Sequence, residues 1–513
     1  MHIDARTLPN GHQVDADLCI VGAGAAGIPI ALEFIGAGKR VVLLEGGGFD
    51  REDALQALYR GSLSGLPYFP LEAARLHYFG GSTGHWGGYC APLDPVDFTT
   101  RSWVPGSGWP ITRDALDPFY AKAHPLLDLG PYQYDPAWWV AQDARREWLP
   151  LDRTVLHEKI WQFSAPTRFG SKFRRSLEAA RDVTLYTHAN VTALEMREDG
   201  ASVNAVRVSH FDGRAFTVRA ATFVLAASTI QNVRLLLAST AHNPQGVGNA
   251  YDQVGRGFME HLEMPAGSGV LLEPQSMRLY RYDFGVTRAR AELALTPAAQ
   301  ERLGTLNVTV AIEGMPADGE PRTTFENNSP EDLEEYRRET RDSLTTIMKA
   351  EAQAHDAASV RAQPRVSLVA RQEQAPNQAS RVTITRERDA LGVPRADFHW
   401  ALTPLDRHSL RTMYLTLGRE FARRGIGRVQ LRDWLRAEQA DWPPFVSGGW
   451  HDLGALRMSA SPRTGVVDAN CQVHGVPNLF IAGGGVFATA GAANPTLTIV
   501  ALSLRLAAFL KAL

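Results

Sequence analysis

The stretch DLCIVGAGAAG, residues 17–27, joins a short apolar run to three glycines spaced G-x-G-x-x-G, then to an alanine-rich, apolar-periodic segment reaching Gly36 and Gly38. It reads as strand, tight turn and helix. Pro29 falls in the first helical turn, where a missing N–H costs nothing. RVVLLE (40–45) supplies the next strand, completes a right-handed βαβ unit and ends on Glu45, 23 residues after Gly22. Bare backbone at such a turn lets a pyrophosphate reach free N–H groups, and a carboxylate ending the second strand can accept ribose hydroxyls. Gly22, Gly24, Gly27 and Glu45 are therefore the expected cradle of a dinucleotide. The acid disfavours NADP, whose 2′-phosphate it would repel, but the motif does not separate FAD from NAD.

Composition narrows the class. The chain has 513 residues, 44% of them apolar, enough for a large core and, by default, two domains. Its 53 basic and 55 acidic residues are scattered, leaving no electrostatic footprint for nucleic acid or an anionic membrane. Cys19, Cys90 and Cys471 are far apart and form no CxxC pair, so neither a disulfide framework nor a cysteine metal site is expected, and no metal ligand set is assigned. Residues 1–15 lack a basic, then apolar, export signal and a twin-arginine pair, which makes cytoplasm the expected location. The charge-free stretch between Asp468 and Arg505 is interrupted by three glycines at 483–485 and by Asn494-Pro495. It reads as a buried strand, loop and helix, with no membrane span expected.

No internal repeat or low-complexity tract is present. Runs such as AATFVLAA (220–227) and NLFIA (478–482) read as parallel strands whose carboxyl ends face a ligand. The Trp-, Pro- and Asp-rich stretch 98–152 and the polar stretch 266–446, with a charged helical segment at 331–341, read as a second domain inserted into the first.

Further along, GGSTGHWGG (80–88) packs five glycines around His85 and Trp86. The C-terminal region carries GGWHDLGALRM (448–458), GVVD (465–468), VPNLFIAGG (476–484) and GAANPTLTIVALSLR (491–505). Together with WPIT (109–112), LDPFY (116–120), AASTIQNVRLLL (226–237) and VGRGFMEH (254–261), these segments resemble the glucose–methanol–choline (GMC) flavoprotein oxidoreductases. The HW pair and the ANPT ending are most similar to the branch that contains pyranose 2-oxidase and bacterial sugar dehydrogenases.

The resemblance implies an α/β fold: a discontinuous Rossmann-like FAD-binding domain (1–97, 153–265 and 447–513) with an inserted α+β substrate-binding domain (98–152 and 266–446). It implies FAD as cofactor and oxidation of a sugar or glycoside secondary hydroxyl to a ketone by hydride transfer to flavin N5. A non-sugar alcohol in natural-product metabolism and a non-redox, flavin-containing lyase stay open as alternatives. His451 matches the family's base and Asn494 its partner, a pair suited to taking a hydroxyl proton and holding the oxygen. Gly81, Ser82, His85 and Trp86 would lie along the flavin, and a covalent bond through His85 is open. Val191, after LYTHAN (185–190), would meet the adenine; Gly484, Asn494, Pro495 and Thr496 would complete the cofactor contacts. His261 is expected to make a structural hydrogen bond. Two departures affect flavin tuning: Ala455 where the family usually has threonine, and Gly483-Gly-Gly485 where many members place an acid. The electron acceptor (oxygen, quinone or cytochrome) and a small helper subunit, which could carry the chain to the periplasm, are left undecided by the resemblance.

Overall fold

A computed structural model describes residues 1–272, 277–281, 288–314, 365–437 and 441–513. The charged segment 331–341, expected to be helical, lies outside the described residues.

The opening motif sits in an eight-stranded sheet. β2 (Gln13–Val21) pairs in parallel with β3 (Val41–Leu44), which continues to β7 (Val183–Thr187) and β1 (His2–Asp4). On its other side β2 pairs in parallel with β10 (Ala215–Leu225), and β10 with the short β20 (Leu479–Ile481). β9 (Val203–Ser209) and β8 (Asn190–Met196) extend that side as antiparallel strands. All four residues of β3 are buried, as expected of a strand covered on both faces. The helix Gly27–Glu33 packs on β2 and β3, and the C-terminal helix Thr496–Lys511 packs on that helix. This burial accounts for the charge-free C-terminal stretch; among the described residues no helix is long and apolar enough to cross a membrane.

In register, Val21 lies beside both Leu44 and Leu225, and Leu225 beside Ile481. Four strands therefore end along one edge of the sheet, and the loops that follow them gather there.

The second sheet has seven antiparallel strands in the order β18 (Gly427–Leu431), β12 (His261–Leu271), β15 (Arg365–Glu373), β14 (Val308–Gly314), β13 (Ala289–Leu295), β6 (Leu156–Phe163) and β5 (Tyr89–Cys90). Pro265 is tolerated inside β12 because the pairing slips at a bulge between Pro265 and Gly267. The helix Pro404–Arg423 lies on this sheet, begun by a capping box between Thr403 and Asp406. A Cβ on Gly267 would stand 2.7 Å from the Tyr414 ring, so the bare backbone is what seats the helix.

Two smaller pairings join these layers. β16 (Arg381–Arg388) runs antiparallel to β17 (Pro394–Trp400), which pairs in parallel with β4 (Gly61–Gly65). β11 (Phe258–Met259) pairs with β19 (Leu453–Gly454).

β5 and β6, within the stretches 1–97 and 153–265, belong to the seven-stranded sheet, which β12 enters at His261. Local sequence marks a strand, whereas sheet membership depends on a partner far away, here β13 for β6.

One buried ion pair ties the inserted loop to the second sheet. Arg101 donates from Nη1 and Nη2 to the two Glu373 carboxylate oxygens at 2.8 and 2.6 Å, with side chains 1% and 0% exposed. Removing one partner leaves an uncompensated buried charge. Arg101→Met should therefore cost about 3–5 kcal/mol, read as a lowered thermal midpoint, while the double change Arg101→Met with Glu373→Met should recover most of it.

Candidate active site

Between the two sheets lies a cavity of about 2170 Å³. Its floor is the set of loops at the carboxyl ends of β2, β3, β10 and β20 together with loop 80–88; its far wall is the face of β12 to β15.

The three glycines of the first motif do three jobs. Gly22 has φ +105°, and a Cβ there would meet the Ala226 carbonyl at 2.7 Å, so it makes the turn. A Cβ on Gly27 would come within 1.9 Å of the Gly22 carbonyl oxygen, so this glycine packs helix against strand and does not line the cavity. Gly24 lines the cavity, and a Cβ there would meet nothing within 4 Å. That bare stretch fits a pyrophosphate.

Glu45 also lines the cavity, but its oxygens already work: Oε2 accepts from the Ala23 N–H at 3.0 Å and Oε1 from the Gly47 N–H at 2.9 Å. It therefore clamps the two loops to each other and retains lone pairs for ribose hydroxyls. Burial pushes its carboxyl up from the usual range, against the pull of those N–H groups. Val191 lines the same end of the cavity.

Loop 80–88 lies back to back with the first turn. The Gly80 N–H donates to the Ala23 carbonyl at 2.8 Å, and a Cβ on Gly81, at φ +53°, would come within 3.3 Å of the Gly24 Cα. Ser82 Oγ accepts from the Leu76 N–H at 3.1 Å, Trp86 Nε1 donates to the Thr167 carbonyl at 2.8 Å, and Arg168 donates to the carbonyls of Thr83 and Trp86, both at 3.0 Å. So held, Gly81, Ser82, His85 and Trp86 line the cavity, as do Gly484, Asn494, Pro495 and Thr496. A continuous groove of bare backbone running from Gly24 past Gly81 fits a flat dinucleotide cofactor such as FAD.

His451 and Asn494 meet at the junction of groove and far wall, with Asn494 Nδ2 donating to His451 Nε2 at 3.3 Å. Pairing of β11 with β19 sets Phe258 opposite Gly454 and Met259 opposite Leu453; the register then slips, with Leu262 bridging Gly448 and the Gly449 N–H donating to the His261 carbonyl at 2.9 Å, and the His261 and His451 rings meet beside that slip. The two ring Nδ1 atoms are 2.8 Å apart, and His261 Nε2 donates to the Gly491 carbonyl at 2.8 Å. Beneath both histidines is the buried carboxylate of Glu260. It accepts from the His451 N–H at 3.0 and 2.9 Å, from the His261 N–H at 3.1 Å and from the Tyr68 hydroxyl at 2.5 Å. A Cβ on Gly448 would stand 2.6 Å from the Glu260 carboxyl carbon and one on Gly449 2.8 Å from His451 Nδ1, so only glycines fit in the two positions before Trp450. Asn494 is held on its other side by Trp161 Nε1, which donates to Oδ1 at 3.2 Å, and its Nδ2 lies 3.5 Å from Glu263 Oε1.

Burial sets the protonation states. It drives His451 well below the usual histidine value, with the neighbouring His261 and then Arg371 adding to the effect. His261 falls to about 4 for the same first reason. The Glu260 carboxyl is pushed up to about 8 by burial and then by Asp452. A neutral imidazole beside an amide N–H is thus turned towards the groove, an arrangement able to take a proton from a hydroxyl while the amide holds the oxygen.

Of the site residues singled out from sequence all but Gly27 line the cavity, and Glu260, Trp161, Glu263 and Arg371 were not among them. Glu260 stands beside a recognised motif residue, whereas Trp161 and Arg371 come from β6 and β15, with no local signal to mark them.

Comparison with known proteins agrees with this geometry. The family model described as FAD dependent oxidoreductase matches residues 17–366, and that described as GMC oxidoreductase matches residues 376–503. The chain is similar to the 2-methyl-1,2-propanediol dehydrogenase of Mycolicibacterium austroafricanum, at 24% identity over 95% of this chain and 94% of that protein. It is also similar to the 6'''-hydroxyparomomycin C oxidase of Streptomyces lividus, at 26% identity over 95% and 90% of the two chains. A third relative, the fructose dehydrogenase large subunit of Gluconobacter japonicus, is 24% identical over 96% of this chain and 97% of its own. The solved pyridoxine 4-oxidase of Mesorbium loti shares the fold with a TM-score of 0.57 at 17% identity, over 96% of this chain and 98% of that one. A cofactor groove built on the βαβ turn, a second sheet walling it and family matches that together span the chain have one common explanation: this protein belongs to the FAD-dependent GMC oxidoreductases, enzymes that act on CH–OH donors.

Proposed function

We propose that this enzyme oxidises a secondary alcohol of a sugar or glycoside to a ketone. FAD, when bound along residues 22–26, 45 and 81–86, would supply the hydride acceptor. The chain supplies the rest. His451 takes the hydroxyl proton at Nε2, and Asn494 holds the same oxygen through Nδ2; the 3.3 Å bridge between these atoms marks the place a substrate hydroxyl would share. This pairing at the mouth of the groove is the observation that carries the reading.

The far wall supports a polyhydroxylated substrate. Glu263, Arg290, Glu313 and Arg371 line it, with Arg371 Nε donating to Glu263 Oε1 at 2.6 Å and Arg290 Nη1 to Glu313 Oε1 at 3.2 Å. Such a wall offers hydroxyl groups both donors and acceptors and suits an apolar alcohol poorly. The names of two relatives, an oxidase of a hydroxyparomomycin and a fructose dehydrogenase, support the same class. A small non-sugar diol is the second reading, favoured by the name of the propanediol dehydrogenase. The three cysteines are buried and unbridged, which supports a reducing, cytoplasmic setting.

Three outcomes follow. In an anaerobic visible spectrum, fructose, paromamine or a simple glycoside should bleach the flavin, whereas ethanol and propanol should not; bleaching by 2-methyl-1,2-propanediol alone would transfer the assignment to the second reading. His451→Ala should keep its flavin while turnover drops roughly 10²–10⁴-fold, the usual worth of general-base help; turnover equal to the parent's rejects His451 as base. Gly24→Leu should fold, since the added side chain points into open space, yet purify without the yellow flavin spectrum.

A further inference from the structure

We propose that His261 is a positioning residue that keeps the ring proton of His451 on Nδ1, leaving Nε2 bare towards the groove. The proposal rests on His451 being the base, and it follows from tracing donors and acceptors from both ends of one hydrogen-bonded chain.

At one end is the Gly491 carbonyl, which can only accept. His261 Nε2, 2.8 Å away, must therefore carry a proton. A neutral imidazole holds one ring proton, so His261 Nδ1 is an acceptor. The 2.8 Å contact between the two Nδ1 atoms then needs its proton from His451, which places that proton on His451 Nδ1. At the other end, Trp161 Nε1 can only donate, and it points at one side of the Asn494 amide at 3.2 Å, making that atom the oxygen. The opposite atom is the NH₂, beside Glu263 Oε1 at 3.5 Å and His451 Nε2 at 3.3 Å, so His451 Nε2 accepts. Both ends give the same tautomer without sharing a partner.

Neutral rings are required throughout, and burial, the largest influence on both, keeps them so: at His451 the neighbouring His261 and then Arg371 add to it, while at His261 Glu263 and the Gly491 carbonyl pull the other way ahead of Arg371 and still leave the ring at about 4. The other tautomer of His451 would set two N–H groups against each other at Asn494 and leave His261 Nδ1 without its proton. The backbone gives little freedom to escape by turning the ring, because Glu260 holds the main-chain N–H groups of both histidines and the His261 carbonyl is tied to the Gly449 N–H at 2.9 Å. A third group that sets the tautomer of a base is worth large rate factors in other catalytic constellations.

The test uses the holoenzyme labelled with ¹⁵N-histidine, with the ring nitrogens read by NMR at pH 7 and assigned by the signals lost in His451→Ala and His261→Asn. The expected spectrum has His451 protonated at Nδ1 and bare at Nε2. His261→Leu, which removes the acceptor, should mix the two tautomers. It should also lower the rate of anaerobic flavin bleaching by about 10²-fold, with flavin content and the substrate concentration at half-maximal rate unchanged. His261→Asn, whose Oδ1 can stand where Nδ1 stood, should restore the single tautomer and most of the rate. A wild-type His451 protonated at Nε2 overturns the proposal, as does a His261→Leu enzyme with parental tautomer and rate. Should His261→Leu fail to fold, the wild-type spectrum and His261→Asn still decide. Wild-type turnover by His451→Ala would sink the base assignment instead, a result distinct from any tautomer reading.

Discussion

Everything in this molecule turns on two glycine turns touching each other. Loop 80–88 and the turn after β2 meet through one backbone hydrogen bond, from Gly80 to Ala23, and through a tight approach in which a Cβ on Gly81 would stand 3.3 Å from the Gly24 Cα. Side chains on either turn would fill the groove or push the turns apart. The groove in turn sets where the rest must be: the second sheet walls it, and the catalytic pair sits where wall and groove meet. Glu45 steadies the turn after β2 from its other side, accepting from the Ala23 N–H and from the Gly47 N–H of the loop after β3.

A second constraint is the two-residue pairing of β11 with β19. By size it is the least of the sheets, yet it aligns two segments 190 residues apart so that one carboxylate, Glu260, can accept N–H groups from both. The precision of the site thus comes from backbone pairing and a buried acceptor rather than from the large core around it.

Much of this was legible in the sequence because glycine leaves a local trace. G-x-G-x-x-G between two apolar strands, the acid ending the second strand and the crowded glycines around His85 and Trp86 each report a steric demand that acts within a few residues. Their distinct jobs were less legible: Gly24 and Gly27 look alike in sequence, and only the Gly22 carbonyl beside the latter separates approach from packing. His451 and Asn494 were reached through a family pattern. What stayed hidden depends on long-range pairing. β6 reads as a strand wherever it goes, and its place beside β13 puts Trp161 on Asn494. The contact between His261 and His451 likewise has no local signature, since it exists only once two distant strands are in register.

The late position of the short strand β20 has a consequence for how the chain is made. The end of β10, Phe223 to Leu225, is an apolar strand edge whose partner is β20, and Asn494 arrives only after that. At translation rates of roughly 5–20 residues per second, the intervening stretch of about 250 residues leaves this edge uncovered for tens of seconds, while β2 and β3 are already available beside it. A nascent chain of this enzyme therefore carries a nearly complete sheet with one open apolar seam and no working site. Ribosome pausing or truncation late in the message would yield a sticky species rather than a partly active one.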